Sequence, residues 1–377
     1  MNNIKRMKIA FIGGRNIHKL GGIETYMLNL CSRLVKLGYE PVYYCESDHD
    51  GEEIVEGFRV VHQKSIKSKF FCKPLCGLKA TWHIIRKEKD TDILHYNTWG
   101  PGTFGFLARL CGKKTIFQGH GIDWRRTKWN KFQRALMFIM DWFVVRCSTK
   151  YTTAVSQEQC DMIAKLYHKK GAVRIPCAVP INDKTKIHSN IIERYGLDSE
   201  NFFLSLGRLV QDKNPDYIIK AFIESGIKEK KLVIAGSNDA DPFYVESLHK
   251  LAEGHDNIVF TGSVYADDKE KLLSDCMAFC IPSTLEGLPI TLLEAMSYGK
   301  ICIASDIQAN KEALGDFGIW CKAEDVDTLK DAMIKVNTRF SELKQSQAGV
   351  KDRIKEDFTW ENTVKLYMGF IDSINKK

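Results

Sequence analysis

Short apolar runs and longer amphipathic stretches alternate along nearly the whole 377-residue chain. In the first half the apolar runs predict strands at 8–13, 41–45, 58–62, 93–96, 115–118 and 151–155. Apolar positions at helical spacing between them predict helices over 22–37, 78–87, 103–111, 131–147 and 157–166. The second half repeats the theme, with strands at 202–206, 231–235, 258–261, 278–281, 301–304 and 319–321 and helices over 215–225, 244–252, 269–276, 292–298 and 326–336. Strands that alternate with helices in this way form parallel sheets covered on both faces. Residues 176–188 hold two prolines among polar residues and no clear period, and read as a linker. The pattern therefore predicts an α/β chain of two doubly wound, Rossmann-like domains, over 1–180 and 181–357. The last stretch, 358–377, reads as an amphipathic helix with Val364, Tyr367, Met368 and Ile371 on one face, and it needs a surface to dock on.

Composition supports two cores, because 377 residues with 44% hydrophobic content exceed what one core normally holds. The 12 cysteines are scattered without a C-x-x-C pair or zinc spacing, and the start of the chain lacks an apolar run of signal-peptide or membrane-spanning length. Reduced thiols and a cytoplasmic location are expected. The net charge of +8 is polarised: residues 1–180 carry 30 Lys and Arg against 15 Asp and Glu, and the remainder 25 against 32. A basic first half suits an anionic partner, although a solvated surface that aids solubility accounts for it equally well.

Four segments at strand ends carry candidate chemistry. The first is Glu286-Gly-Leu-Pro-Ile-Thr-Leu-Leu-Glu294, a strand-to-helix turn whose free N–H groups and positive helix end suit an anion. Glu286 falls in the loop and Glu294 in the helix, leaning back over the turn. One carboxylate can meet a sugar and the other a ribose diol. The alternative is a glutamate complementing the helix dipole and an ordinary surface glutamate. The second segment, Leu206-Gly-Arg-Leu-Val-Gln-Asp-Lys213, sets Arg208 and Lys213 in a loop before a helix, where two cations suit a departing diphosphate or are simply solvated. The third is Gly13-Gly14 with Gly21-Gly22, where backbone can approach a ligand or merely turn. The fourth is Gln118-Gly-His-Gly-Ile-Asp123; a lone histidine is more often structural, but the flanking glycines argue for an exposed His120. All four lie where open α/β sheets bind ligands.

With these segments in place the chain resembles a GT-B-fold, retaining glycosyltransferase of family 4 over nearly its whole length. The E-x7-E element with the following Glu-Ala-Met-Ser-Tyr-Gly run and the Gly-Arg…Lys element carry the likeness. The stretch Gly121-Ile-Asp-Trp-Arg-Arg-Thr-Lys-Trp129 is similar to the rhamnosyl- and glucosyltransferase-like branch that builds bacterial surface polysaccharides. The resemblance implies a nucleotide-sugar donor, with a UDP-sugar favoured, a lipid-linked or oligosaccharide acceptor, and a site in the cleft between the domains. It implies that Glu286 binds the donor sugar, that Glu294 holds the ribose, and that Arg208 and Lys213 stabilise the leaving diphosphate. His120 would hydrogen-bond the sugar near the reacting carbon. Gly21, Gly22, Gly207, Gly287, Leu288 and Ile290 would line the donor, Gly236, Ser263 and Val264 its base, and the last helix would cross back to the first domain. No metal or other cofactor is expected. His95-Tyr-Asn97 departs from relatives that carry a second histidine there, and Asn97 is assigned to the acceptor side.

Other readings remain. A sugar-nucleotide epimerase of the same fold would turn over without an acceptor, and a non-catalytic binding protein would not turn over at all. Asp239-Ala-Asp241 mimics a metal-binding D-x-D but precedes a helix, as an N-cap does. A nicotinamide dehydrogenase lacks its G-x-G-x-x-G here, and the basic half carries no nucleic-acid module. Two basic clusters contain aromatic or aliphatic residues: Lys64, Lys67, Lys69, Lys73 and Lys79 with Phe70, Phe71, Leu75 and Leu78, and Arg125, Arg126, Lys128, Lys131 and Arg134 with Trp124, Trp129 and Phe132. They suit peripheral attachment to the anionic inner face of a plasma membrane, unless the apolar residues are core and the bases merely rim them.

Overall fold

The structure, a computed structural model, describes residues 7–19, 21–68, 70–181, 184–237 and 241–376. It divides into two compact units. Unit 1 comprises Met1–Arg125, Trp129–Cys177 and Trp360–Lys377, and unit 2 comprises Arg126–Lys128 and Ala178–Thr359.

Unit 1 runs through β1 (Lys8–Arg15), α1 (Gly22–Lys36), β2 (Glu40–Ser47), β3 (Gly51–Val55), β4 (Phe58–Lys64), α2 (Cys72–Lys87), β5 (Ile93–Asn97), α3 (Trp99–Gly102), α4 (Gly105–Leu110), β6 (Lys114–Gly119), α5 (Lys131–Phe143), β7 (Tyr151–Ala154), α6 (Gln157–Leu166) and β8 (Val173–Arg174). The sheet order is β3-β4-β2-β1-β5-β6-β7-β8. All neighbours are parallel except β3, which returns antiparallel on β4. An all-parallel sheet was expected. The exception arises because Glu56 and Gly57, both at positive φ, turn the chain tightly enough for a hairpin. The inner faces of β1, β2 and β5 (Ala10, Ile12, Val42, Tyr44, Leu94, Tyr96) pack on Ala80 and Ile84 of α2. A second cluster joins Phe117 and Ala154 to Met137, Cys160 and Ile163 of α5 and α6. Helix α5 opens on a capping box between Asn130 and Gln133. The helix expected to run to 147 is α-helical only to Phe143 and ends in a π-helical turn, Val144–Ser148.

Unit 2 holds α7 (Ile191–Arg194), β9 (Phe202–Leu206), α8 (Pro215–Ser225), β10 (Lys231–Ala235), α9 (Pro242–Leu251), β11 (Ile258–Gly262), α10 (Ala266–Asp275), β12 (Ala278–Ile281), α11 (Ile290–Ser297), β13 (Ile301–Ser305), α12 (Gln308–Leu314), β14 (Gly318–Cys321), α13 (Val326–Thr338), α14 (Phe340–Ser346) and α15 (Val350–Asp357). Its sheet, β11-β10-β9-β12-β13-β14, is parallel throughout. Phe203, Leu232, Ile234, Ala278 and Ile303 pack against Ile218 and Phe222 of α8 and Leu329 and Met333 of α13. Asp241 caps α9, its carboxylate accepting from Tyr244 N at 3.2 Å. Asp239 lies outside the described residues.

The last helix, α16 (Trp360–Asn375), belongs to unit 1. Its Tyr367 hydroxyl hydrogen-bonds to buried His95 Nδ1 at 3.0 Å, and Thr363 Oγ1 donates to the Pro176 carbonyl at 3.1 Å. Trp360 packs its ring against Tyr26 and lies under the Arg33 guanidinium.

Candidate functional site

In unit 2 the chain leaves β9 towards β10 and β11 on one side and resumes at β12 towards β13 and β14 on the other. The switch point therefore lies between β9 and β12, where open α/β sheets bind ligands at the carboxyl ends of the strands. The two loops leaving these strands are tied together. Asn214, in the left-handed region at φ 53°, donates from Nδ2 to the Pro282 carbonyl at 2.8 Å, and Thr284 N donates to the Asp212 carbonyl at 3.0 Å. Across the same join Lys213 Nζ forms an ion pair with Glu286. The sequence reading gave these two side chains separate partners; the structure pairs them with each other, with only 9% of the Glu286 side chain exposed.

Glu294 lies in α11, which Pro289 opens, and its side chain is 10% exposed. Lys269 Nζ, from α10, donates to Glu294 Oε1 at 2.6 Å. Burial lifts the Glu294 carboxyl above the ordinary carboxylate range, and Lys269 holds it down. Burial works against charge on Lys269 too, but Glu294 and Glu270 outweigh it and raise the ammonium above its usual value. Sequence reasoning missed Lys269. It sits on another helix, 25 positions upstream, with no local motif to mark it.

The remaining residues of unit 2 assigned to the donor differ in exposure. Arg208 is exposed in the loop after β9. A Cβ on Gly207 would meet no atom within 4 Å, whereas one on Gly236, at φ 147°, would lie 1.8 Å from the Gly207 carbonyl oxygen. Gly236 is thus dictated by the close approach of two backbones. Ser263 is exposed, its hydroxyl 2.7 Å from that of Ser237, and Val264 is partly exposed beside it. Gly287 and Ile290 are partly exposed, but Leu288 is 6% exposed and belongs to the core side of the turn.

Unit 1 has its own switch point between β1 and β5. Glycine is required at the end of β1, because a Cβ on Gly13, at φ 103°, would strike Pro101. Gly21 precedes α1, and a Cβ there would lie 2.3 Å from Glu24 Oε2. Gly22 is the first residue of α1. Glu24 is 4% exposed and accepts from Arg15 N at 2.7 Å. The glycine at 21 therefore clears room for a buried carboxylate.

His120 is not the freely exposed histidine that its flanking glycines suggested. It is half-buried, edge-on to the Tyr26 ring with 5.4 Å between centroids, and burial pushes its imidazole down to about 3, with Asp123 opposing and Lys73 assisting. Gly119 is small for packing: a Cβ would sit 3.0 Å from Gln159 Oε1. Asn97, assigned to the acceptor side, is only 1% exposed. Its Nδ2 donates to the Gly13 carbonyl at 3.3 Å, so its Oδ1 faces His120 Nε2 at 3.0 Å. That pattern places the imidazole proton on Nε2 and leaves Nδ1 as an acceptor. Asn97 thus lies buried at the end of β5, bonded to His120.

The basic clusters divide. Phe70, Trp124 and Trp129 pack on the unit 1 core. Phe71, Leu75 and Phe132 are exposed by 59%, 37% and 76%. Lys69 lies outside the described residues. All 12 cysteines are free thiols, and among the described residues no helix is long and apolar enough to cross a membrane.

Comparison with known proteins follows the same division. A family model described as "Glycosyltransferase Family 4" matches residues 20–183, and one described as "Glycosyl transferases group 1" matches residues 188–346. An uncharacterized glycosyltransferase of Methanocaldococcus jannaschii is 34% identical over 97% of this chain and 98% of its own length. The UDP-Gal:alpha-D-GlcNAc-diphosphoundecaprenol alpha-1,3-galactosyltransferase of Escherichia coli is 27% identical over 70% of each chain. Among solved structures, sucrose-phosphate synthase from Thermosynechococcus elongatus matches with a TM-score of 0.85 and 16% identity, covering 98% of this chain and 100% of that one. At that identity the likeness is one of fold, the GT-B fold. Two family models that match in succession, and a relative one-third identical over almost its full length, make this chain a glycosyltransferase of the group 1 and family 4 type, an enzyme of the GT-B fold.

Proposed function

We propose that the enzyme transfers a hexosyl group, with retention, from a nucleotide-sugar to a glycan or lipid-linked acceptor in surface polysaccharide synthesis. The observation that carries this reading is the switch point of unit 2, where Glu286 and Glu294 are each held by a lysine next to the start of α11. Glu286 takes the sugar hydroxyls and Glu294 the ribose diol. Arg208 and Lys213 stabilise the diphosphate as it leaves, aided by the positive end of α11. His120 accepts a hydrogen bond from a sugar hydroxyl at Nδ1. The acceptor oxygen attacks the anomeric carbon on the face from which the diphosphate departs. The C–O bond to the diphosphate breaks as the new glycosidic bond forms, and the acceptor proton passes to the leaving phosphate. No metal ion takes part. The E. coli relative, named for UDP-Gal and a diphosphoundecaprenol acceptor, supports uracil as the nucleobase and a lipid-linked acceptor. An acceptor of that kind brings the enzyme to an anionic membrane surface.

The test is release of UDP from UDP-sugars with and without candidate acceptors, with the anomeric configuration of the product read by NMR. Glu286→Gln should lower turnover about 100-fold or more while UDP binding survives. Glu294→Gln should weaken UDP binding itself. Wild-type kinetics in both variants would refute the assignment. Turnover of the sugar nucleotide without any acceptor would point to an epimerase.

A further inference from the structure

A surface helix normally turns its apolar stripe to the core and a polar one to water. Helix α5 does not. Its inner side packs Met137 and Phe138 beside Val144 and Ile163. Its outward side presents Phe132, 76% exposed, Ala135, Ile139, 57% exposed, and Trp142, 37% exposed. These four recur at helical spacing and form one stripe. The only acid of the helix, Asp141, is turned inward, where its carboxylate accepts from the Tyr167 hydroxyl at 2.6 Å.

Bases border the stripe. Lys131 begins the helix, and past its end Arg146 and Arg109 donate to the carbonyls of His168 and Cys147, both at 2.6 Å. Among the described residues their charges are therefore met by backbone oxygen and not by carboxylates. Beside the helix lies an open hollow of about 640 Å³, walled by Trp124 and Leu166, with Arg125 and Arg134 at its sides. Phe71 and Leu75, at the start of α2, are exposed as well.

We propose that the outward face of α5 is the surface by which this protein docks on an anionic phospholipid bilayer. The inference rests on the membrane part of the reading above and assigns it a place. Apolar side chains enter the acyl boundary while the flanking bases meet phosphate headgroups. A second copy of the chain suits the face less well. A two-fold contact through α5 would bring the bases of one copy, Lys131, Arg109 and Arg146, near those of the other, with no acid on the stripe to compensate.

Flotation with vesicles tests this. The full-length protein should float with phosphatidylcholine vesicles that contain phosphatidylglycerol, and not with phosphatidylcholine alone, and rising salt should release it. The triple variant Phe132→Ser, Ile139→Ser, Trp142→Ser should lose about tenfold or more of the bound fraction. All three side chains are exposed, so its melting temperature and its stabilisation by UDP should match the parent. Lys131→Glu, made separately, should weaken binding and reduce its salt dependence. The proposal is overturned if the parent ignores anionic vesicles at low salt, or if the triple variant floats as the parent does. It is equally overturned if sedimentation shows a dimer that the triple variant abolishes and vesicles do not bind. Loss of flotation with UDP binding intact separates failure of docking from failure of the donor assignment.

Discussion

Replacing Lys269 by methionine would leave the Glu294 carboxylate enclosed without its partner. Breaking a buried ion pair from one side costs about 3–5 kcal/mol. Solvent reaches 25% of the Lys269 side chain and 10% of that of Glu294, so screening lowers the figure to about 2 kcal/mol at neutral pH. For a unit the size of unit 2 that is a fall in Tm of about 4–8 °C. The sign of the pH dependence is fixed by Glu294. Its folded value is already raised by burial, so the folded state binds the proton more readily than the unfolded chain does. Stability on this account is fullest below the ordinary carboxylate value of 4.5 and falls as pH rises towards the folded value. Without Lys269 the folded value climbs further and the fall is steeper. The gap between variant and parent should be small in acid and grow to its full size near neutrality. Thermal melts across that range, repeated with Glu294→Gln in the Lys269→Met background, provide the measurement. The double variant should regain most of the loss and show no widening gap. A gap that is the same at every pH, or a double variant no better than the single, would show that the lysine does not hold a buried charge.

Activity should persist in EDTA, assayed by UDP release, because Arg208 and Lys213 supply the positive charge at the diphosphate; loss on chelation with recovery on Mn²⁺ would refute this. His120, held near 3 by burial, should contribute no inflection to the kcat/KM profile between pH 5 and 8. Asn97→Leu should lower kcat about tenfold through loss of the His120 orientation, with UDP affinity unchanged; an equal loss of UDP affinity would mean that Asn97 acts only on the fold.

The strands that form the two sheet centres were legible because they are continuous apolar runs, and five-residue β9 and β10 fall where the pattern placed them. The edge strands were not. Strand β3 reads Gly-Glu-Glu-Ile-Val and has no residue in the core, and β8 is two residues long. Helix α2 begins at Cys72, six residues before the predicted start, because Pro74 sits in its first turn, where no intrahelical N–H is needed. Helix α3 lies in a Gly-Pro-Gly stretch that reads as a turn, and Trp99 to Gly102 are buried. At the candidate site, local sequence marked Glu286, Glu294, Arg208 and Lys213 because strand-end loops advertise them. It could not reveal that Lys213 closes on Glu286, that Lys269 supports Glu294, or that Asn97 lies behind His120. Each of those contacts joins segments whose proximity only the sheet order creates.

Unit 1 is not contiguous, and that fixes the order in which the molecule can be completed during synthesis. Residues up to Cys177 emerge first, yet His95 and Tyr26 meet their partners Tyr367 and Trp360 only when α16 leaves the ribosome. At about 5–20 residues per second the wait is about 10–40 s. By the end of that time unit 2 has all of its strands in hand, while the first-made unit still exposes the groove left for α16. The nascent chain is then a finished domain joined to an open one. Its vulnerable interval falls before α16 is made, when a chaperone that shields apolar surface would be most useful.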